Sequence, residues 1–190
     1  MNSRPSSVAA PIDTRQFRNA LGRFASGVTV LTAEAEGKMH GMTANAFISV
    51  SLDPPLVLVS LDNRSNMHRL LPTVRHFGIS VLAEDQDAHS NHFAGRPSPD
   101  LHVRVTHRNG IPLLGGAVAY FVVEVIDIHP AGDHTLYIAR VDHFEANEGK
   151  PLLFFSGRYH HMREEKGKPI QWPEDEFSLF SIGSIDPSVK

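Results

Sequence analysis

The sequence predicts a mainly β domain, a small Greek-key barrel with peripheral helices. Three observations carry that prediction. Short β-branched apolar runs recur along the chain, turn formers such as Glu36-Gly37-Lys38 and Ala131-Gly132-Asp133 separate them, and helical spacing is confined to a few short stretches. Sequential strands linked by tight turns pair antiparallel, and closing them into a barrel removes exposed edges. A chain of 190 residues suffices for one sizeable core. The expected organisation is a flexible Ser-, Pro- and Ala-rich leader over 1–12, one domain over 13–160, and a tail over 161–190. In that tail Trp172, Phe177, Leu179 and Phe180 suit docking on the barrel or on a partner subunit.

Asp13 is a candidate N-cap with Gln16 three residues on, and Phe17, Ala20, Leu21 and Phe24 then fall on one helical face that ends near Gly27. Val28–Ala35 and Met39–Val50 read as two strands of a hairpin, and Leu56–Leu61 as a buried strand after Asp53-Pro54-Pro55. Ser65–Leu71 reads as a short helix stopped by Pro72, Phe77–Leu82 as a strand, and Glu84–Phe93 as a helix closed by Gly95 in a left-handed conformation. Strands follow at Val118–His129, His134–Glu145 and Leu152–Phe155.

Composition excludes several function classes. With 18 Lys+Arg against 21 Asp+Glu, the net charge is −3, and no basic stripe is present to neutralise a phosphate backbone, so no nucleic-acid partner is expected. The absence of cysteine removes thiolate nucleophiles, iron–sulfur clusters and cysteine zinc sites. Apolar runs are far shorter than the ~18 residues of a membrane span, so no membrane is expected and cytoplasm is the default location. His89 and His92 are three apart without an intervening Glu, and His102, His107 and His160-His161 add no diagnostic spacing, so no metal is expected. No Gly-x-Ser-x-Gly elbow, Gly-x-Gly-x-x-Gly or P-loop occurs.

What remains is a set of small and polar residues at predicted strand ends: Gly41-Met42-Thr43-Ala44-Asn45-Ala46-Phe47, Asn63-Arg64-Ser65-Asn66 and Asn91-His92-Phe93-Ala94-Gly95-Arg96. Small residues let backbone approach a flat ring. Thr43, Asn45, Ser65 and Asn66 offer hydroxyl and amide groups, and Ser65 opens a helix whose free N–H groups favour an anionic phosphate. The same residues are also ordinary turn formers, and Ser65 an ordinary N-cap.

In their order these segments resemble the short-chain flavin reductase family. The landmarks are Phe24-Ala25-Ser26-Gly27-Val28-Thr29-Val30, Gly41 to Phe47, Ser49-Val50-Ser51-Leu52-Asp53-Pro54-Pro55-Leu56, Phe93-Ala94-Gly95, Gly132-Asp133-His134-Thr135 and Pro151-Leu152-Leu153-Phe154-Phe155 leading to Gly157-Arg158-Tyr159. The resemblance covers roughly Phe17 to Tyr159. It implies an FMN-binding split barrel, working as a homodimer, that passes hydride from NADH or NADPH to FMN or FAD and supplies reduced flavin to a monooxygenase. It further implies flavin contacts from Gly41, Met42, Thr43, Ala44 and Asn45, from the strand end Ser60, Leu61 and Asp62, and, on the phosphate side, from Ser65 and Asn66. Phe93, Ala94 and Gly95 would lie towards the flavin phosphate or adenine. His134, the one residue assigned a catalytic role, and Tyr159 would approach the nicotinamide nucleotide. No Arg cluster marks a 2′-phosphate pocket, which points to NADH. The alternative is a related barrel that holds flavin or haem without nicotinamide-dependent turnover.

Overall fold

The computed structural model describes residues 11–163. Along them run α1 (Thr14–Leu21), β1 (Ser26–Gly27), β2 (Thr29–Ala35), β3 (Lys38–Ala44), β4 (Phe47–Leu52), β5 (Pro55–Asp62), α2 (Asn66–Val74) and β6 (His76–Val81). Then come α3 (Asp87–Phe93), β7 (Val105–Arg108), β8 (Ile111–Leu114), β9 (Ala119–Ala131), β10 (His134–Ala146), β11 (Leu153–Phe155) and β12 (Arg158–His160). Seven strands hydrogen-bond in the order β3-β2-β6-β9-β10-β5-β4, each ladder antiparallel. The two end strands, β3 and β4, are joined through Asn45-Ala46, and Ser60 N–H donates to Ala46 O at 3.1 Å, so the sheet curls back on itself as a split barrel.

Alternation sorts the strand residues. On β5, Val57, Val59 and Leu61 turn inward and are buried, as are Tyr137 and Ala139 of β10. They meet Leu31, Phe77, Ile79 and Val123, and α2 plugs this interior with Met67 and Leu71. Strand β2 departs from alternation: all five residues of Thr29–Ala33 are buried. Its inward side chain Leu31 joins the barrel core, while Val28 and Val30 pack outward against Leu82, Leu114 and Leu152 in a second layer. A strand covered on both faces must also pair its polar side chains, and the hydroxyls of Thr29 and Thr32 donate to Ala44 O and Pro112 O.

The hairpin expected at Glu36-Gly37 forms, with φ of 53° and 68° at those residues, the pair of left-handed conformations that a tight I′ turn demands. Four expectations need correction. The first helix ends at Leu21 with Gly22 as C-cap, short of Gly27. Met39–Val50 is two strands, broken at Asn45-Ala46 where the barrel turns its corner. Pro72 lies inside α2 instead of ending it. The third helix begins at Asp87, three residues later than Glu84, because Gln86 is engaged in the preceding turn, its Oε1 accepting from Ala83 N–H. Sequence reading also missed the β7–β8 hairpin and the short β1 and β12. The proposed tail falls, from 164 onwards, outside the described residues, as does the leader over 1–10.

Candidate functional site

The end of β5 and the start of β10 are ladder partners, Asp62 opposite His134, and this pairing gathers the first group of candidate residues. Asn63 joins the two loops: its N–H donates to Asp133 O at 3.0 Å, and its Oδ1 accepts from the Thr135 hydroxyl at 2.7 Å. Ser65 N–H donates to Asp62 O at 2.9 Å, and Ser65 Oγ caps α2 by accepting from His68 N–H at 3.1 Å. The N–H groups of Asn66 and Met67 have no intrahelical acceptor, as at any helix start. Asn66 Oδ1 accepts from the Arg69 guanidinium, so the side chain leans along the helix.

Two carboxylates stand at this mouth, each with its own hydrogen-bond donor. Arg64 grips Asp62 through Nε to Oδ1 at 3.0 Å and Nη2 to Oδ2 at 2.6 Å, which holds the Asp62 carboxyl far below the usual carboxylate range. Asp133 Oδ1 accepts from His134 Nδ1 at 2.7 Å, and that hydrogen bond lowers the Asp133 carboxyl in turn. With Nδ1–H spent on Asp133, Nε2 of His134 is the ring atom left for a ligand.

The second group lies along the outer flank of β3. Gly41 and Thr43 face α3, whereas Met42 and Ala44 turn into the barrel core and offer a ligand only their backbone, as does buried Leu61. Thr43 Oγ1 donates to Ser90 O at 2.7 Å; Ser90 Oγ meets Tyr159 OH at 2.8 Å, and that hydroxyl also reaches Asn91 Oδ1 at 3.4 Å. Phe93 packs against Gly41, where a Cβ would stand 2.5 Å from the ring, so only glycine permits this contact. Past Phe93, the N–H groups of Ala94, Gly95 and Arg96 fold back onto the carbonyls of Ser90, Asn91 and His92. They close the helix and are not free to cradle a phosphate in this arrangement.

Asn45, exposed at the barrel corner, opens onto a groove of ≈ 490 Å³ walled by Leu21, Phe24, Phe47 and Ile48. Ser26 also lines it, and its Oγ is buried without a hydrogen-bond partner among the described residues. A buried, unpaired hydroxyl beside an exposed amide in an apolar groove fits a flat heterocycle with polar edges, such as a flavin. Sequence reasoning passed over Ser26; its only signal was its place in the Phe24–Val30 landmark. Elsewhere, His76, Glu124 and Asp142 converge, the one histidine–carboxylate grouping of its size among the described residues. Arg140 reaches Glu124 at 2.6 Å and Asp142 at 3.1 Å and supplies the positive charge this cluster calls for.

The flavin reductase like domain model matches residues 21–163, three quarters of the chain. The chain belongs to the flavin reductase family. Among family members, an NADH-dependent flavin reductase of a Rhodococcus species is 48% identical over 159 residues, covering 82% of this chain and 90% of the relative. The reductase component of a 4-nitrophenol 4-monooxygenase/4-nitrocatechol 2-monooxygenase from Rhodococcus opacus is 39% identical over 156 residues, covering 81% and 84%. The solved styrene monooxygenase flavin reductase of Pseudomonas putida superposes with a TM-score of 0.74 at 46% identity, over 78% of this chain and 98% of that one. The family's split barrel is the fold described above.

Proposed function

We propose that the protein is an NADH-dependent flavin reductase that transfers hydride to FMN or FAD and supplies reduced flavin to a partner monooxygenase. The observation that carries this reading is the 48% identity, across most of both chains, to an NADH-dependent flavin reductase. When bound, the nicotinamide gives hydride from C4 and the flavin accepts it at N5. The chain's own task is to hold two flat rings in contact and exclude water. Well-oriented geometry of this kind can lower a barrier by up to ~7–11 kcal/mol.

In this reading Ser26, Asn45 and the Thr43–Asn45 backbone border the ring, Ser60 to Asp62 support it from the adjacent strand, and Ser65 and Asn66 take the phosphate at the amino end of α2. His134, with Nε2 free, contacts the nicotinamide nucleotide. Tyr159 approaches the same nucleotide, and Phe93, Ala94 and Gly95 shape the flank. The functional unit is a homodimer, and the cytoplasm, where NADH is regenerated, is its place. No helix among the described residues is long and apolar enough to cross a membrane.

The test is a steady-state matrix of NADH and NADPH against FMN, FAD and riboflavin, with absorbance scanned for a haem Soret band. The expected result is turnover with NADH exceeding that with NADPH at least tenfold in kcat/KM, a difference of ~1.4 kcal/mol in transition-state stabilisation. Bound flavin or haem without NADH oxidation would replace the reductase with a binding protein.

A further inference from the structure

Proline inside a helix leaves the carbonyl four residues earlier without its donor. In α2 that residue is Pro72 and the orphaned carbonyl belongs to His68. Tyr137, reaching across the barrel from β10, brings its hydroxyl to 3.1 Å from His68 O and 2.8 Å from His68 Nδ1. A phenol has one proton to give. Donating it to the carbonyl leaves the phenol oxygen to accept from Nδ1–H, and all three polar atoms are then satisfied. Tyr137 has no exposed surface, so bulk water does not compete for its hydroxyl, and burial pushes the phenol pKa up, which keeps its proton in place. His68 N–H is meanwhile held by Ser65 Oγ at 3.1 Å. One residue in the first turn of α2 is thus fixed at its N–H by Ser65 and at its carbonyl and ring by the core.

We propose that Tyr137 is a positioning residue that replaces the helix donor missing at Pro72 and so holds the amino end of α2, through His68 and Ser65, in the geometry that receives the flavin phosphate. The inference rests on the assignment of Ser65 and Asn66 to that phosphate. It makes a demand that simple core packing does not: the lost hydroxyl is replaceable by a backbone N–H at position 72.

The experiment measures FMN and riboflavin dissociation constants by fluorescence for the wild type, Tyr137→Phe, Pro72→Ala, Tyr137→Phe/Pro72→Ala and Ser65→Ala/Asn66→Ala. Tyr137→Phe keeps the ring, so it is expected to weaken FMN binding about fivefold or more while riboflavin stays within about twofold. Adding Pro72→Ala restores an N–H to His68 O and is expected to bring FMN back to within about twofold of the wild type. Equal losses for both flavins in Tyr137→Phe, or no recovery in the double variant, overturn the positioning role. Selective FMN loss in Ser65→Ala/Asn66→Ala but none in Tyr137→Phe overturns it while leaving the phosphate assignment standing. No selective loss in either removes that assignment and the role built on it. Should Tyr137→Phe fail to fold, the double variant decides: folded with normal FMN affinity it supports the proposal, and unfolded it overturns it.

Discussion

His134 occupies the first position of β10, one residue after a Gly-Asp turn, half-buried and tied by Nδ1 to Asp133. That bond orients the ring without consuming Nε2, the arrangement expected of a side chain that meets a second substrate. His134→Ala is expected to raise KM for NADH or slow hydride transfer while the flavin dissociation constant stays within about threefold, under ~0.7 kcal/mol. Stopped-flow reduction at saturating flavin separates the two effects; unchanged reduction kinetics would deny His134 its role. At this scale the sequence was informative where identity alone implies behaviour: Ser65 as a cap and Gly95 as a helix terminator both follow from residue type. It was uninformative about direction. Nothing in Met42-Thr43-Ala44 says that the outer residues pack inside the barrel and only Thr43 faces α3. The orphaned Ser26 hydroxyl emerges only when β1 is laid beside the corner at Asn45.

Elements were legible when their own pattern decided them and illegible when a distant neighbour did. Strands β5, β6, β9 and β10 carry alternation or β-branched runs and were found nearly to the residue. The sequence pattern ends α2 at Leu71 because a proline normally stops a helix, whereas the compensating donor lies 65 residues beyond Pro72, in Tyr137. The β7–β8 hairpin has little periodicity; it is fixed by tertiary contacts, including Ser80 Oγ accepting from Leu114 N–H at 2.9 Å. Its outer end is pinned to β10 by Arg108, which meets Glu145 at 2.5 and 3.0 Å. The Arg108 hydrogen bond, then that from His143, draws the Glu145 carboxyl from 4.5 down to about 2. A carboxyl lowered in the folded state contributes stability above its unfolded value, and that contribution disappears as pH falls towards the folded one. The melting temperature of the wild type is therefore expected to drop more steeply between pH 4.5 and pH 2 than that of Glu145→Gln, by scanning calorimetry. Parallel slopes would mean that the pair does not bear on stability.

For the molecule as a whole, the described residues leave an apolar surface uncovered. Phe17, Leu21 and Phe24 are 53%, 59% and 83% exposed, and Ile48, Val50 and Leu52 of β4 are 56%, 47% and 61% exposed. Of these, Leu21, Phe24 and Ile48 wall the groove that also holds Asn45 and Ser26, and exposed apolar side chains of this size suit an interface. A homodimer joined here would close the candidate ring site with its partner's surface. Phe24→Asp with Ile48→Asp is expected to shift sedimentation from dimer to monomer and to reduce flavin turnover by an order of magnitude or more, ~1.4 kcal/mol at least. A wild-type monomer with full activity would refute this arrangement. Helix α1 sharpens the point, since it has eight residues and none is buried. An isolated helix so short does not hold its shape in water, where roughly 12–15 residues are marginal. Its ties are a cap at Asp13 and, at the far end, Ser156 N–H donating to Gly22 O at 2.8 Å. Were two subunits joined on this face, the helicity of Thr14–Leu21 would be gained on association and lost on dilution, and this segment would serve as a built-in reporter of subunit concentration.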